Sequence, residues 1–244
     1  MNIRSLMRHT VLISALSALL GVPTLAHSTD IYLVGNGYQN GSESFTLTAT
    51  PPPAVSPVGA GGFAGHIGPR PGPNPPTTPI IFWCAELTQT FGFGPVYEYT
   101  SSPLSNTLLS QLFTEVGGSG SATSTTVGSA AFQLAIWEIL FEAGGTYGGS
   151  LNVSTGTFRA TGAPGDAGAA AAIMQANDWL GALDAGDPPS TALFLLHSGS
   201  NQDFITDTTS PLLLTPEPGS LALLGIGIFG AMFAMRRRTH RASR

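Results

Sequence analysis

Cys84 is the only cysteine in this 244-residue chain and the first residue whose type suggests reactive chemistry. Where cysteines stabilise a fold they come in pairs, and a lone thiol closes no intramolecular disulfide and builds no zinc cluster. Three fates stay open for it: a buried apolar thiol, an intermolecular disulfide, or a thiol consumed by another internal bond. Glu138 and Glu142 are four residues apart on a helical stretch. That spacing aligns two carboxylates for acid–base work on a glycan, and it is equally that of a solvated helix face. Glu86, two residues after Cys84 in an extended run, shares its side of the strand, where it tunes the thiol or makes a rim contact. His66 and His197 stand alone, with no acidic partner at ligand spacing. Asp203 and Asp207 offer oxygens to calcium without the alternating ligands of a full loop. All nine basic residues are Arg, so lysine Schiff bases, a P-loop lysine and lysine–asparagine crosslinks are excluded. No serine lies in G-x-S-x-G. The literal G-x-G-x-x-G at Gly225–Gly230 sits in an apolar segment with no preceding strand and turn. No metal or cofactor is implied.

The elements that must position these residues are legible in part. Ile80 to Leu87, IIFWCAEL, is apolar, β-branched and aromatic, and predicts a buried strand carrying Cys84. The clearest helix follows Ser129, which serves as its cap, with Phe132, Ala135, Ile136, Ile139 and Leu140 on one apolar face and Gly144-Gly145 as its stop. Gln133 and Trp137 border that face. A shorter helix is expected over Leu104–Phe113 and another over Ala169–Leu183, capped by Asp166. DIYLV and ESFTLTA around the turn-rich GNGYQNG predict a hairpin, and Leu151–Ala160 a strand pair. Phe91 to Tyr99 suggests a strand or ordered loop, and Thr191–His197 and Gln202–Thr206 closing strands. Residues 51–79 hold 10 Pro and 6 Gly, which predicts extended spacer, interrupted at most by a short strand near Gly62–Ile67. The expected class is α+β: one exported domain of antiparallel strands with two or three helices.

Phe82-Trp83-Cys84 on a strand and Phe132-Gln133-Leu134-Ala135-Ile136-Trp137 on a helix resemble the two half-motifs of thioester domains in Gram-positive surface adhesins. The resemblance implies that the Cys84 thiolate attacks the Gln133 side-chain amide and expels ammonia, with Phe132 and Trp137 keeping water away. A buried thioester of this kind acylates an incoming amine or hydroxyl with the thiolate as leaving group.

Both ends of the chain are addresses. MNIRSLMRHT followed by VLISALSALLGV has the basic and apolar regions of a signal peptide, with small residues before His27 to suit signal peptidase, so residues 1–26 are expected to be removed. At the other end Pro216-Glu217-Pro218 precedes an uncharged run, Gly219 to Met235, and then Arg236-Arg237-Arg238. That run is at the short end of what crosses a bilayer, and the basic residues mark its cytoplasmic flank. The three-part order resembles the PEP-CTERM sorting signal of exopolysaccharide-producing Gram-negative bacteria. In that family an exosortase in the inner membrane cuts near the Pro-Glu-Pro.

The organisation expected is therefore signal peptide 1–26, N-terminal strands 27–50, Pro/Gly-rich segment 51–79, main domain 80–215 and sorting signal 216–244, with a transmembrane run at 219–235 and a basic tail at 236–244. Between Asp30 and Glu217 two Arg face fourteen acidic residues, a balance that repels phosphate backbones and excludes nucleic acid as a partner. The function expected is a non-enzymatic surface or extracellular-matrix protein, anchored to the inner membrane as a precursor and associated with exopolysaccharide or biofilm. A covalent adhesin using Cys84 and Gln133 against a surface amine or hydroxyl is the alternative. A glycan hydrolase through Glu138 and Glu142 comes last.

Overall fold

The computed structural model describes residues 29–208, except 70–73, 118–119, 143–149, 185 and 187. The expected signal peptide and the expected sorting signal, with its transmembrane run, lie outside the described residues. Among those described, no helix is long and apolar enough to cross a membrane.

The described residues form nine strands and three helices in the order β1 (Thr29–Tyr38), β2 (Glu43–Thr48), β3 (Val58–Ala60), β4 (Phe63–Gly68), β5 (Thr78–Cys84), β6 (Val96–Leu104), α1 (Thr107–Val116), α2 (Thr126–Phe141), β7 (Arg159–Gly162), α3 (Ala167–Ala182), β8 (Leu193–His197) and β9 (Phe204–Thr206), with a 3-10 turn at Ser121–Thr123. Six of the strands close a barrel in the order β1-β4-β5-β9-β8-β6, and β3-β2-β7 form a separate small sheet. All pairings are antiparallel, so the α+β class holds. Alternation turns Phe63, Phe82, Tyr99 and Phe204 to one side of their strands, and their rings meet inside the barrel: Phe82 lies 4.7 Å and Phe63 5.8 Å from Phe204.

The N-terminal strands depart from the expected hairpin. β1 runs straight through Gly35-Asn36-Gly37 on a bulge, pairing with β4 and β6, while β2 belongs to the other sheet. Glycine absorbs the irregularity: Gly37 has φ 142°, in the region that costs other residues strain. These strands are therefore integral to the domain, not an N-terminal addition to a domain starting at 80. The Pro/Gly-rich segment supplies β3 and β4, with Phe63 and Ile67 buried, so part of it is core and not spacer. The strand pair at 151–160 is also corrected. β7 alone forms there, against β2, while Leu151, Val153 and Phe158 fill the core from a turn-rich segment.

The helices correct two further expectations. The cap of α2 is Thr125, whose hydroxyl accepts the Gly128 N–H at 3.0 Å, and Ser129 lies inside the first turn. Nor does α2 have one apolar face, because every residue from Gly128 to Glu138 is buried. α1, α3, β3 and β5 all pack against it, so the helix is apolar all round for the same reason that a buried strand is. α3 meets its expectation, with Asp166 accepting the Ala169 N–H at 3.0 Å and Ala169, Ala172, Ala176 and Leu180 turned inward. β8 and β9 are closing strands in the full sense, since they complete the barrel between β5 and β6.

Candidate functional site: Cys84 and Gln133 at the barrel mouth

In the β4/β5 ladder Phe63 faces Phe82, so a continued register would bring Gly62 opposite Trp83 and Gly61 opposite Cys84. The chain turns away first. Gly62 donates its N–H to Ser129 Oγ at 2.9 Å and accepts from Gln39 N–H at 2.8 Å. A side chain at Gly62 would enter the Trp83 ring, its Cβ 2.7 Å from Cη2. The diversion leaves the main chain of Cys84 without a strand partner on that side, and Gln133 takes the place. Its Oε1 accepts the Cys84 N–H at 2.9 Å, and its Nε2 donates to the Cys84 C=O at 2.9 Å. The carboxamide thus acts as a substitute peptide unit in the ladder. Ser129 and Gln133, one turn apart on α2, close the same opening.

The two half-motifs identified in the sequence are therefore brought together. Cys84 is a free, buried thiol and Gln133 is wholly buried. Phe132 stands edge-on to Trp83 at 4.7 Å and to Phe113 at 4.8 Å, and Trp137 is buried one turn beyond Gln133. Burial pushes the Cys84 thiol up, and the charge of Glu86 adds to the effect, so the thiol is neutral at ordinary pH. Nucleophilic attack by it requires the proton to leave in the same step. Alternation places Cys84 on the same side of β5 as Phe82, facing the aromatic interior, where Tyr99 donates its hydroxyl to the Gln202 C=O at 2.9 Å.

Other sequence candidates fare differently. Glu138 is not on a solvated face: it is fully buried, and its Oε1 accepts the Asn152 N–H at 2.7 Å while Oε2 has no partner. Burial is the main cause that raises its pKa to about 7. Glu142 is half-buried and binds the N–H groups of Thr157 and Phe158 at 2.7 and 2.9 Å. Both carboxylates are thus committed to holding the 150–158 segment on α2. His197 does have an acidic partner, Asp203, at 2.8 Å across the β8/β9 turn. Asp203 also accepts the Ser198 N–H at 2.9 Å, so it serves the turn. His66 meets the Asn36 side chain at 3.2 Å. Glu86 accepts from the Thr88 hydroxyl, and its charge also acts on the Cys84 thiol. Among the described residues no three His, Cys, Asp or Glu side chains group to hold a metal. Sequence reading missed Ser129 as a ladder closer and the burial of Glu138. The signal available was that Ser129, Gln133 and Glu138 are the polar interruptions of an otherwise apolar helix.

Comparison with known proteins bears on the C-terminal end. A family model described as the PEP-CTERM protein-sorting motif matches residues 214–238. The chain carries a PEP-CTERM sorting signal. Pro216, Glu217, Pro218, Arg236, Arg237 and Arg238 all fall within the match, and the signal marks an exported protein, made as a membrane-anchored precursor and sorted by an exosortase. No curated protein and no solved structure matches the chain.

Proposed function

We propose that the exported part of this PEP-CTERM protein is a non-enzymatic component of the cell surface or extracellular matrix, associated with exopolysaccharide. The observation that carries this reading is the sorting motif at 214–238. Signal peptidase removes residues 1–26, and exosortase cleavage near Pro216-Glu217-Pro218 releases the domain from its apolar run. Peptide mapping of protein from the native host tests it. The mature chain should begin near His27 and lack Gly219 to Arg244, and should leave the matrix fraction when the polysaccharide is depolymerised. Extracellular peptides spanning Phe229 to Thr239 would rule out the cleavage.

A second reading, a covalent adhesin, is favoured by the Gln133 carboxamide seated on Cys84 through two 2.9 Å hydrogen bonds. In it Cys84 Sγ bonds to Gln133 Cδ, the Cδ–Nε2 bond breaks, and the thiol proton leaves with the amine as ammonia. The Cys84 N–H remains on the carbonyl oxygen, where it stabilises developing negative charge. A surface amine or hydroxyl then takes the acyl group and returns the thiol. The intact protein should weigh one ammonia less than its sequence, and methylamine should add one adduct that Cys84→Ala and Gln133→Ala both abolish. The full calculated mass with a freely alkylated Cys84 would remove this reading and leave the first intact.

A further inference from the structure

Phe91 lies in the β5–β6 loop, outside any strand, yet its ring sits on the barrel mouth. It is 4.9 Å from Phe204, 5.2 Å from Tyr97, 6.0 Å from Phe82 and 6.2 Å from Phe63. Phe82 and Phe204 are the neighbours of Cys84 along its own strand and across the ladder. Phe93 packs edge-on against Phe91 at 5.8 Å and is 42% exposed, so the pair spans from the barrel interior to solvent. β1 makes room for this. A Cβ at Gly35 would lie 2.5 Å from the Phe91 ring, so the bulge glycine forms the seat of the plug. The base of the loop is fixed, with Ala85 N–H on the Asp203 C=O, Leu87 C=O accepting from Ala54, and Glu86 C=O accepting from Gln202. Beyond that base, the main-chain bond tying residues 89–94 to the barrel is Gly94 N–H to Gly35 C=O at 2.9 Å. Gly92 and Gly94 flank Phe93, and Gly94 is left-handed at φ 99°.

Ring contacts with one backbone tie and glycines at the bend make a segment that opens locally while the hydrogen-bonded barrel stays closed. We propose that residues 88–95 are a hinged stopper on the barrel mouth, with Phe91 as its plug, and that the stopper sets the access of small reactants to Cys84. The inference deepens the covalent reading, because an amine destined for Cys84 and Gln133 has to pass it. Thiol access gives it a separate readout.

The full-length protein in detergent, first treated with methylamine so that Cys84 is a free thiol under either reading, is exposed to iodoacetamide and followed by intact mass. Phe91→Ala and, independently, Gly35→Ala should each raise the native alkylation rate at least about tenfold, with rates flat across low urea as local opening requires. Met174→Ala, at an exposed site on α3, should leave the rate unchanged. Variant rates equal to wild type would overturn the stopper. So would rates that climb with urea along the global unfolding slope, or a native wild-type thiol that reacts as fast as the unfolded chain. Failure of methylamine to add mass in every variant would remove the thioester and leave the stopper to be judged on alkylation.

Discussion

Gln133→Leu should cost about 4 kcal/mol of stability, because it leaves two buried main-chain groups unpaired at about 1–3 kcal/mol each. The groups are the Cys84 N–H and C=O, for which the Gln133 carboxamide provides both partners. Leu matches Gln in size, so the loss isolates the hydrogen bonds from cavity formation. Gln133→Glu should be worse at neutral pH: a carboxylate keeps the acceptor, loses the donor and adds a buried charge. Urea unfolding at fixed pH reads both. A loss below about 1 kcal/mol for Gln133→Leu would mean that the main chain of Cys84 finds water instead, contrary to the closed ladder.

Stability should fall as pH rises from about 4.5 to about 7, and Glu138→Gln should flatten that slope. Burial raises the carboxyl from its ordinary 4.5 to about 7 in the folded chain. Between those values the native state holds a proton that the unfolded state has released, so each upward step in pH favours unfolding, and the loss is complete above about 7. Gln mimics the protonated acid, keeping an oxygen for the Asn152 N–H. The variant should therefore match wild type near pH 4 and exceed it by about 1–3 kcal/mol at pH 8. Glu142 acts in the opposite sense at lower pH. The Phe158 N–H is the first of the hydrogen bonds that lower its pKa, and its contribution is lost as pH falls through that lowered value. Thermal melts across pH check both; a slope unchanged by Glu138→Gln would assign the dependence to other groups.

Local signals were the legible ones. The strand carrying Cys84, the Asp166 cap of α3, the closing strands and the α+β class all follow from periodicity and end chemistry within a dozen residues. The Cys84–Gln133 pairing was legible through motif resemblance alone, because 49 residues separate the partners and no local period links them. What escaped was set by tertiary context. GNG at Gly35 to Gly37 has the composition of a turn, yet β4 pairs with β1 on both sides of a bulge there and holds it extended. Glu138 shares its four-residue spacing from Glu142 with countless solvated pairs. Only the 150–158 segment folding over α2 distinguishes a buried acid from an exposed one. Prolines at 51–57 hid the fact that the same stretch soon becomes β3 and β4, since composition averages over the residues that pair.

The closed order of the six-stranded sheet also matters once the protein is exported. Many copies of one chain held at high concentration are the condition under which open strand edges recruit one another into fibrils. Here the large sheet offers no free edge, and the small sheet exposes only β3, three residues long, and β7, four residues long. Crowding of this domain should therefore leave its folded units without the long open edges that seed cross-β aggregates.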